Sequence, residues 1–155
     1  MIQFDATHDN LTGLANRRFV LDLIRKKLDN KDQFTVLFID FDGFKSVNDN
    51  FGHETGDLAL IEGYKRIQNK IKENDILARM GGDEFVVVLN DEFDKINVEV
   101  ICKRIIESFQ PNFSILGHSF KMGLSIGACI NSNHNYSLDE LINLADQSMY
   151  NVKKT

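Results

Sequence analysis

The sequence predicts an α/β domain of the α+β kind, with a central, mostly antiparallel sheet flanked by helices in a βαββαβ order. Three stretches carry that prediction. Phe34 to Phe41 (FTVLFIDF) is a β-branched and aromatic run. It is too continuous for a one-sided strand and reads as a central strand covered on both faces. Ile76-Leu77-Ala78 and Phe85 to Leu89 are two β-prone runs joined through Gly81-Gly82, the pattern of a hairpin. Leu60, Tyr64, Ile67 and Ile71 recur at steps of four, three and four, the stripe of an amphipathic helix packed on a sheet.

The remaining elements follow in order. Thr7 to Arg18 is turn-rich, and Asn16 stands at the N-cap of a first helix expected over roughly Arg17 to Leu28. The polar Asp29-Asn30-Lys31-Asp32 ends it. After the central strand, Asp42-Gly43 opens a turn and Phe44 to Asn50 reads as a short helical segment. Gly52-His53-Glu54-Thr55-Gly56 is a second loop, and the long helix is expected from about Asp57 to Lys72. The hairpin follows, with Asp83 at the start of its second strand. A helix from about Asp94 to Phe109 then closes before Pro111. Phe113 to Leu116 and Ser119 to Ile130 read as two more strands around Gly117-His118. A last helix starts at Ser137, with a capping box completed by Glu140 and a stripe of Leu138, Leu141, Ala145, Met149 and Val152. No repeat, low-complexity stretch or linker divides the chain, so residues 1–155 are expected to form one domain.

Composition narrows the function classes. At 43% hydrophobic and 26% charged, with one proline, the chain has the make-up of an ordinary globular protein. The net charge of −5 argues against a nucleic-acid-binding face, while leaving room for a local cationic site for a phosphorylated small molecule. Cys102 and Cys129 lie in apolar runs with no CxxC and no histidine at ligand spacing. They read as buried reduced thiols, consistent with a cytoplasmic location. No apolar run approaches the ~20 residues of a membrane span. The N-terminal Met1-Ile2-Gln3-Phe4-Asp5 has neither the charge nor the length of a signal peptide.

The chemistry concentrates at the ends of two strands. Asp40 interrupts the buried run, and Asp83 leaves the glycine hairpin. If the two strands are neighbours, their carboxylates share one sheet edge. Two carboxylates alone repel and raise one pKa, and a divalent cation reverses this. Hard oxygen donors select Mg²⁺ over Zn²⁺, with water and substrate phosphates completing the shell. The turn Phe41-Asp42-Gly43-Phe44-Lys45 suits phosphates, because its amides start a helix, Gly43 allows close approach and Lys45 adds a charge. Asn48 and Asp57 offer donors and acceptors to a base edge. Singly, each has a plainer reading: Asn48 satisfies a loop, Asp57 caps the long helix, and Lys45 is solvated. Their clustering around two loops beside one strand end favours a site.

These segments also resemble a known family. Asp9-Asn10-Leu11-Thr12-Gly13-Leu14-Ala15-Asn16-Arg17-Arg18 is similar to the opening motif of GGDEF domains, the diguanylate cyclases. Asp40 to Asp49 and Gly52 to Asp57 resemble the next two motifs in order and spacing, and Arg79 to Phe85 carries the signature unmodified. Leu124-Ser125-Ile126-Gly127-Ala128 and Ala145 to Tyr150 resemble the closing ones. The likeness runs from Asp9 to Lys153. It implies a palm-like nucleotide-cyclase fold that condenses two GTP into cyclic di-GMP, with Mg²⁺ as cofactor and Mn²⁺ as a substitute. By position, Asp40, the Phe41 carbonyl and Asp83 would bind metal, and Glu84 would be a further ligand or a proton acceptor. Asn48 and Asp57 would read guanine. The amides of Phe41, Asp42, Gly43 and Phe44, with Lys45 and Lys153, would hold phosphates. Gly81 and Gly82 would leave room for substrate.

The resemblance further implies a transient homodimer of facing domains, brought together by an upstream sensor or dimerisation module not seen in this chain. That places the domain in the cytoplasm, alone or as the cytoplasmic part of a membrane-bound receptor, without membrane contact of its own. Two departures are visible. Where product-inhibited members carry RxxD, this chain has Lys72-Glu73-Asn74-Asp75, and lysine lacks the bidentate, stacking contact of arginine. The chain also stops at Thr155, before the arginine with which members often contact phosphate, which implies either weaker phosphate binding or a sequence cut short at that point. The competing class is a GGDEF module that holds GTP or cyclic di-GMP without catalysis. Degenerate members of that kind tend to lose the residues that Asp40, Asp83 and Glu84 represent here.

Overall fold

The computed structural model describes residues 6–91, 94–132, 136–144 and 147. Its elements are α1 (Arg17–Asp29), β1 (Phe34–Asp42), α2 (Phe44–Phe51), α3 (His53–Gln68), β2 (Ile76–Gly81), β3 (Glu84–Leu89), α4 (Lys95–Glu107), β4 (Phe113–Ile115), β5 (His118–Phe120) and β6 (Gly123–Asn131). Residues 138–144 form α5. The main sheet runs β2-β3-β1-β6, every pair antiparallel, and β4-β5 is a separate two-stranded hairpin. The expected fold class holds, with β1 at the centre.

Alternation along β1 sorts the core into two layers. Leu37, Ile39 and Phe41 join Phe85, Val87 and Leu89 against Leu60 and Ile67 of α3 and Val98 and Ile105 of α4. Phe34, Val36 and Phe38 join Val86 and Val88 against Val20 and Ile24 of α1 and Leu141 of α5. Burial on both faces explains why the strand reads as a continuous apolar run. Full burial of each such side chain contributes roughly 1.5–3 kcal/mol.

The caps at Asn16 and Ser137 are those the sequence offers, and Asp94, read there as a helix start, is the N-cap of α4. Asn16 accepts a bond from the Phe19 amide at 3.0 Å, and Asp94 accepts from the Ile96 amide at 2.8 Å. Ser137 and Glu140 exchange bonds of 3.0 and 3.1 Å, completing the capping box and holding the Glu140 carboxyl below its ordinary value. Of the stripe expected on the last helix, Leu141 is buried and Leu138 packs against the core, while Ala145, Met149 and Val152 lie outside the described residues.

Two elements depart from expectation. Helix α3 begins at His53, a turn earlier than Asp57, so Asp57 does not cap it. Its N-cap is Gly52 at φ 91°, a left-handed backbone with no side chain to advertise a helix start. The run Ser119 to Ile130 is divided by Lys121-Met122 into β5, which pairs with β4, and β6, which pairs with β1. The turn between β4 and β5 carries positive φ at both Leu116 (49°) and Gly117 (80°), the backbone that a tight hairpin demands.

Arg66 of α3 fastens that second hairpin to the body. Its guanidinium donates to the carbonyls of Ser108 (3.2 Å), Pro111 (2.7 Å) and Asn112 (3.0 Å) and lies 3.8 Å from the Phe113 ring centre. Helix α3 also meets the end of β1 closely at Gly63. A side chain there would stand 2.8 Å from Phe41 Cζ and 3.3 Å from Phe109 Cζ. Glycine therefore lets the Phe41 ring stack on Phe85 at 4.8 Å and edge onto Phe109 at 5.1 Å.

Candidate active site

The end of β1 carries a polar row across the sheet. Asp40 stands opposite Glu84 on β3 and Ser125 on β6. Opposed residues of antiparallel strands share a face, here the face that carries Phe34, Val36 and Phe38 further along. Asp42, two positions on, accepts a hydrogen bond from the buried Ser125 hydroxyl at 2.9 and 3.1 Å to its two oxygens.

Asp83 lies in the turn rather than at the start of the strand, a correction with chemical consequence. Gly81 pairs with Glu84, leaving Gly82 and Asp83 as the loop. On a strand, Asp83 and Glu84 would face opposite sides. From the turn, Asp83 meets Asp40, and its carbonyl accepts a bond from the Phe41 amide at 3.2 Å. The Asp40 carboxyl is pushed up to about 6, first by burial, then by the charge of Asp83 and a side-chain hydrogen bond with it, and then by Glu84 and Asp42. Asp83 is thus in direct contact with Asp40, while Glu84 and Asp42 act on it through their charge. Gly81 (φ 145°) and Gly82 (φ 52°) supply the reversal, with open space where their side chains would be.

The hairpin is braced from the N-terminal segment. Arg79 donates to the Gly82 carbonyl through Nε (3.0 Å) and Nη2 (2.8 Å), and to Asp9 through Nη1 (3.2 Å). Burial works against ionisation of Asp9, but the Thr12 amide, the Thr12 hydroxyl and Arg79 outweigh it and hold the carboxyl low. The Arg79 amide also donates to the Ala15 carbonyl at 2.9 Å. A cleft of about 450 Å³ opens beside this brace, lined by Arg17, Arg18, Met80 and Gly81 among others, and it excludes Asp40, Asn48 and Asp57.

Beyond β1, Gly43 turns the chain at φ 87° into α2, whose first amides have no side-chain cap. Lys45 is exposed on the first turn of that helix. Asn48 of α2 packs against Gly56 of α3, and the next residue, Asp57, is exposed on the second turn of α3. The structure therefore brings together Asp40, Asp42, Asp83 and Glu84 with the Phe41 backbone, and separately places Asn48 beside the turn that bears Asp57. Lys153 lies outside the described residues.

Asp9, Arg79 and Ser125 were not singled out from the sequence, although each falls in a segment carrying the family likeness. Among the described residues no three or more His, Cys, Asp or Glu side chains form a metal-binding group. The donors gathered here are oxygens from few side chains, and their mutual repulsion is what a hard divalent cation relieves. That donor set fits Mg²⁺.

Fold and site define a class: an antiparallel-sheet α/β domain with carboxylates gathered at a glycine hairpin. The chain belongs to the GGDEF domain family, whose diguanylate cyclase model matches residues 6–155. It is 40% identical over 152 residues to the diguanylate cyclase DgcN of Escherichia coli, covering 96% of this chain and 37% of that protein. It is 36% identical to the bifunctional diguanylate cyclase/cyclic di-GMP phosphodiesterase MucR of Pseudomonas aeruginosa, covering 96% of this chain and 22% of that protein. The chain thus spans a minor part of these relatives. Among solved structures, the GGDEF domain of PA1120 (TpbB or YfiN) from Pseudomonas aeruginosa superposes with a TM-score of 0.86 at 36% identity, covering 95% of this chain and 88% of that one.

Proposed function

We propose that this chain is a diguanylate cyclase domain, forming cyclic di-GMP and two pyrophosphates from two GTP. The observation that carries the reading is the meeting of Asp40, Asp83 and Glu84 at the glycine hairpin in a chain matched by the GGDEF family along nearly its whole length. Each 3′-oxygen forms a bond to the α-phosphorus of the facing nucleotide as the α–β bridging P–O bond breaks. Pyrophosphate leaves with that electron pair.

Asp40, the Phe41 carbonyl and Asp83 would hold Mg²⁺, or Mn²⁺ in its place. When bound, the ion supplies charge stabilisation at the phosphate and makes the attacking hydroxyl more acidic. Glu84, opposite Asp40 on the neighbouring strand, is a further ligand or the acceptor of the 3′-OH proton. The Phe41 amide is taken by the Asp83 carbonyl, so the remaining amides of the turn, those of Asp42, Gly43 and Phe44, hold phosphate oxygens with Lys45 and Lys153. The Asp57 carboxylate accepts from guanine N1–H and the exocyclic amine, and Asn48 completes the base contact. Adenine has an acceptor at N1, so a carboxylate there disfavours ATP.

Residues 1–155 act as one output domain, and catalysis requires two domains face to face. Proximity of the half-sites then contributes several of the roughly 7–11 kcal/mol available from orientation. The shares of DgcN and MucR covered support attached modules that bring domains together.

Incubating the chain with GTP and Mg²⁺ and chromatographing the products tests the reading. Cyclic di-GMP, formed at a low specific rate that steepens with protein concentration, supports it. Bound but unchanged GTP at every concentration identifies a binding module instead.

A further inference from the structure

Helix α3 contains Gly56 and Gly63, and neither has the positive φ that would demand glycine. Interior helix glycines weaken a helix relative to alanine, so each calls for a steric reason. For Gly63 the reason is the Phe41 ring. For Gly56 it is Asn48: a side chain at 56 would fall inside the contact distance of Asn48 Oδ1 and stand 2.8 Å from its Cγ. The Asn48 amide thus occupies the space that an alanine methyl would take. Its Oδ1 is buried there without a hydrogen-bond partner, an arrangement that folding alone does not reward.

We propose that Gly56 is a positioning residue for base recognition: lacking a side chain, it seats the Asn48 amide with Oδ1 turned inward and Nδ2 left as the donor offered to an acceptor on a nucleobase. This rests on the guanine-reading role proposed above. It also gives the Gly56-Asp57 pair one purpose, the glycine orienting the donor and the aspartate supplying the acceptor beside it.

The test is a double-mutant cycle on the whole chain with Gly56→Ala, Asn48→Ala and the pair. It is read by thermal unfolding and by calorimetric binding of 3′-deoxy-GTP with Mg²⁺, a nucleotide without the attacking hydroxyl. Gly56→Ala is expected to lower Tm alone and to raise it by a few degrees in the Asn48→Ala background, where the amide is gone and alanine is the better helix former. Affinity for 3′-deoxy-GTP should fall about tenfold or more in each single variant and no further in the pair. If Gly56→Ala shifts Tm alike in both backgrounds, there is no seat and the proposal fails. If Tm couples but both single variants bind 3′-deoxy-GTP like the parent, the seat exists without serving the base, and the proposal fails there. Should Gly56→Ala alone not fold, the pair against Asn48→Ala still decides the steric half, and an affinity for the pair equal to that of the parent overturns the rest. Failure of the parent chain to bind 3′-deoxy-GTP overturns the cyclase reading and the base role with it, while the Tm cycle still reports on the seat.

Discussion

The β2–β3 hairpin has carboxylates at both extremities, and the two ends are built in opposite ways. At the open end, Asp75 accepts from the amides of Lys72 (2.9 Å) and Asn90 (3.2 Å), and Asp91 accepts from the Asn74 amide nitrogen at 2.6 Å. At the turn end, Asp40 is destabilised as an anion by burial and by three further carboxylates. Donors tie one end together and like charges strain the other. A carboxylate supplied with donors is part of the frame. One surrounded by its own kind is held back from ionising, and a nearby cation would relieve it.

The comparison breaks if the two ends respond alike to mutation. Asp83→Ala should give the largest effect, a loss of cyclase turnover of about 10³-fold or more. Its metal-free Tm should hold or rise, because a repelling charge is gone. A folded Asp83→Ala that still converts GTP to cyclic di-GMP removes Asp83 from the chemistry. Asp75→Ala should do the reverse, costing about 1–3 kcal/mol in urea unfolding for the donors left unpaired while kcat stays put. A stable Asp75→Ala with impaired turnover would exchange the roles of the two ends.

A smaller effect appears with pH. The Asp40 carboxyl rises from 3.8 to about 6 on folding. Below pH about 4 folded and unfolded chains both keep the proton, and the raised pKa costs nothing. Between pH 4 and 6 only the unfolded chain releases it, so stability falls as pH rises, and the whole penalty is present above about pH 6. Discounted for the partial exposure of Asp40, that penalty is about 1 kcal/mol, or ~2–4 °C in Tm. Metal-free Asp40→Asn should therefore melt higher than the parent near pH 7 and equally near pH 4. Mg²⁺ affinity should weaken below about pH 6, as protons compete for Asp40.

The smallest effect concerns the open end as a ligand site. With Asp75 already accepting two backbone bonds and Lys72 in place of arginine, cyclic di-GMP should bind there weakly and leave turnover unchanged. Tight binding by calorimetry that Asp75→Ala removes would refute this.

Most of the frame was legible because periodicity reports burial. The two-faced run at Phe34–Phe41, the caps at Asn16 and Ser137, and the hairpin glycines all announce themselves through local chemistry. What escaped was set by backbone and by distant partners. Helix α3 starts on Gly52, which carries no capping side chain. Asp83 occupies the turn because the reversal is centred one residue later than the glycine pair suggests. Ser125 sits in an ordinary-looking strand until β6 is laid beside β1. Gly56 reads from sequence as part of a loop before the long helix, since the worth of the α3 glycines lies in what comes to rest against them.

Those two glycines have a geometric corollary. Gly56 and Gly63 are one heptad apart, two turns or about 10.5 Å along the axis, and so face the same way. One notch receives the Asn48 amide and the other the Phe41 ring, so the helix acts as a key with two bits. The span between the Asn48 amide and the Phe41 ring is then indexed by helical pitch rather than by loop length. One residue inserted between the notches would turn them about 100° out of phase, and no adjustment in the loops would restore both fits at once.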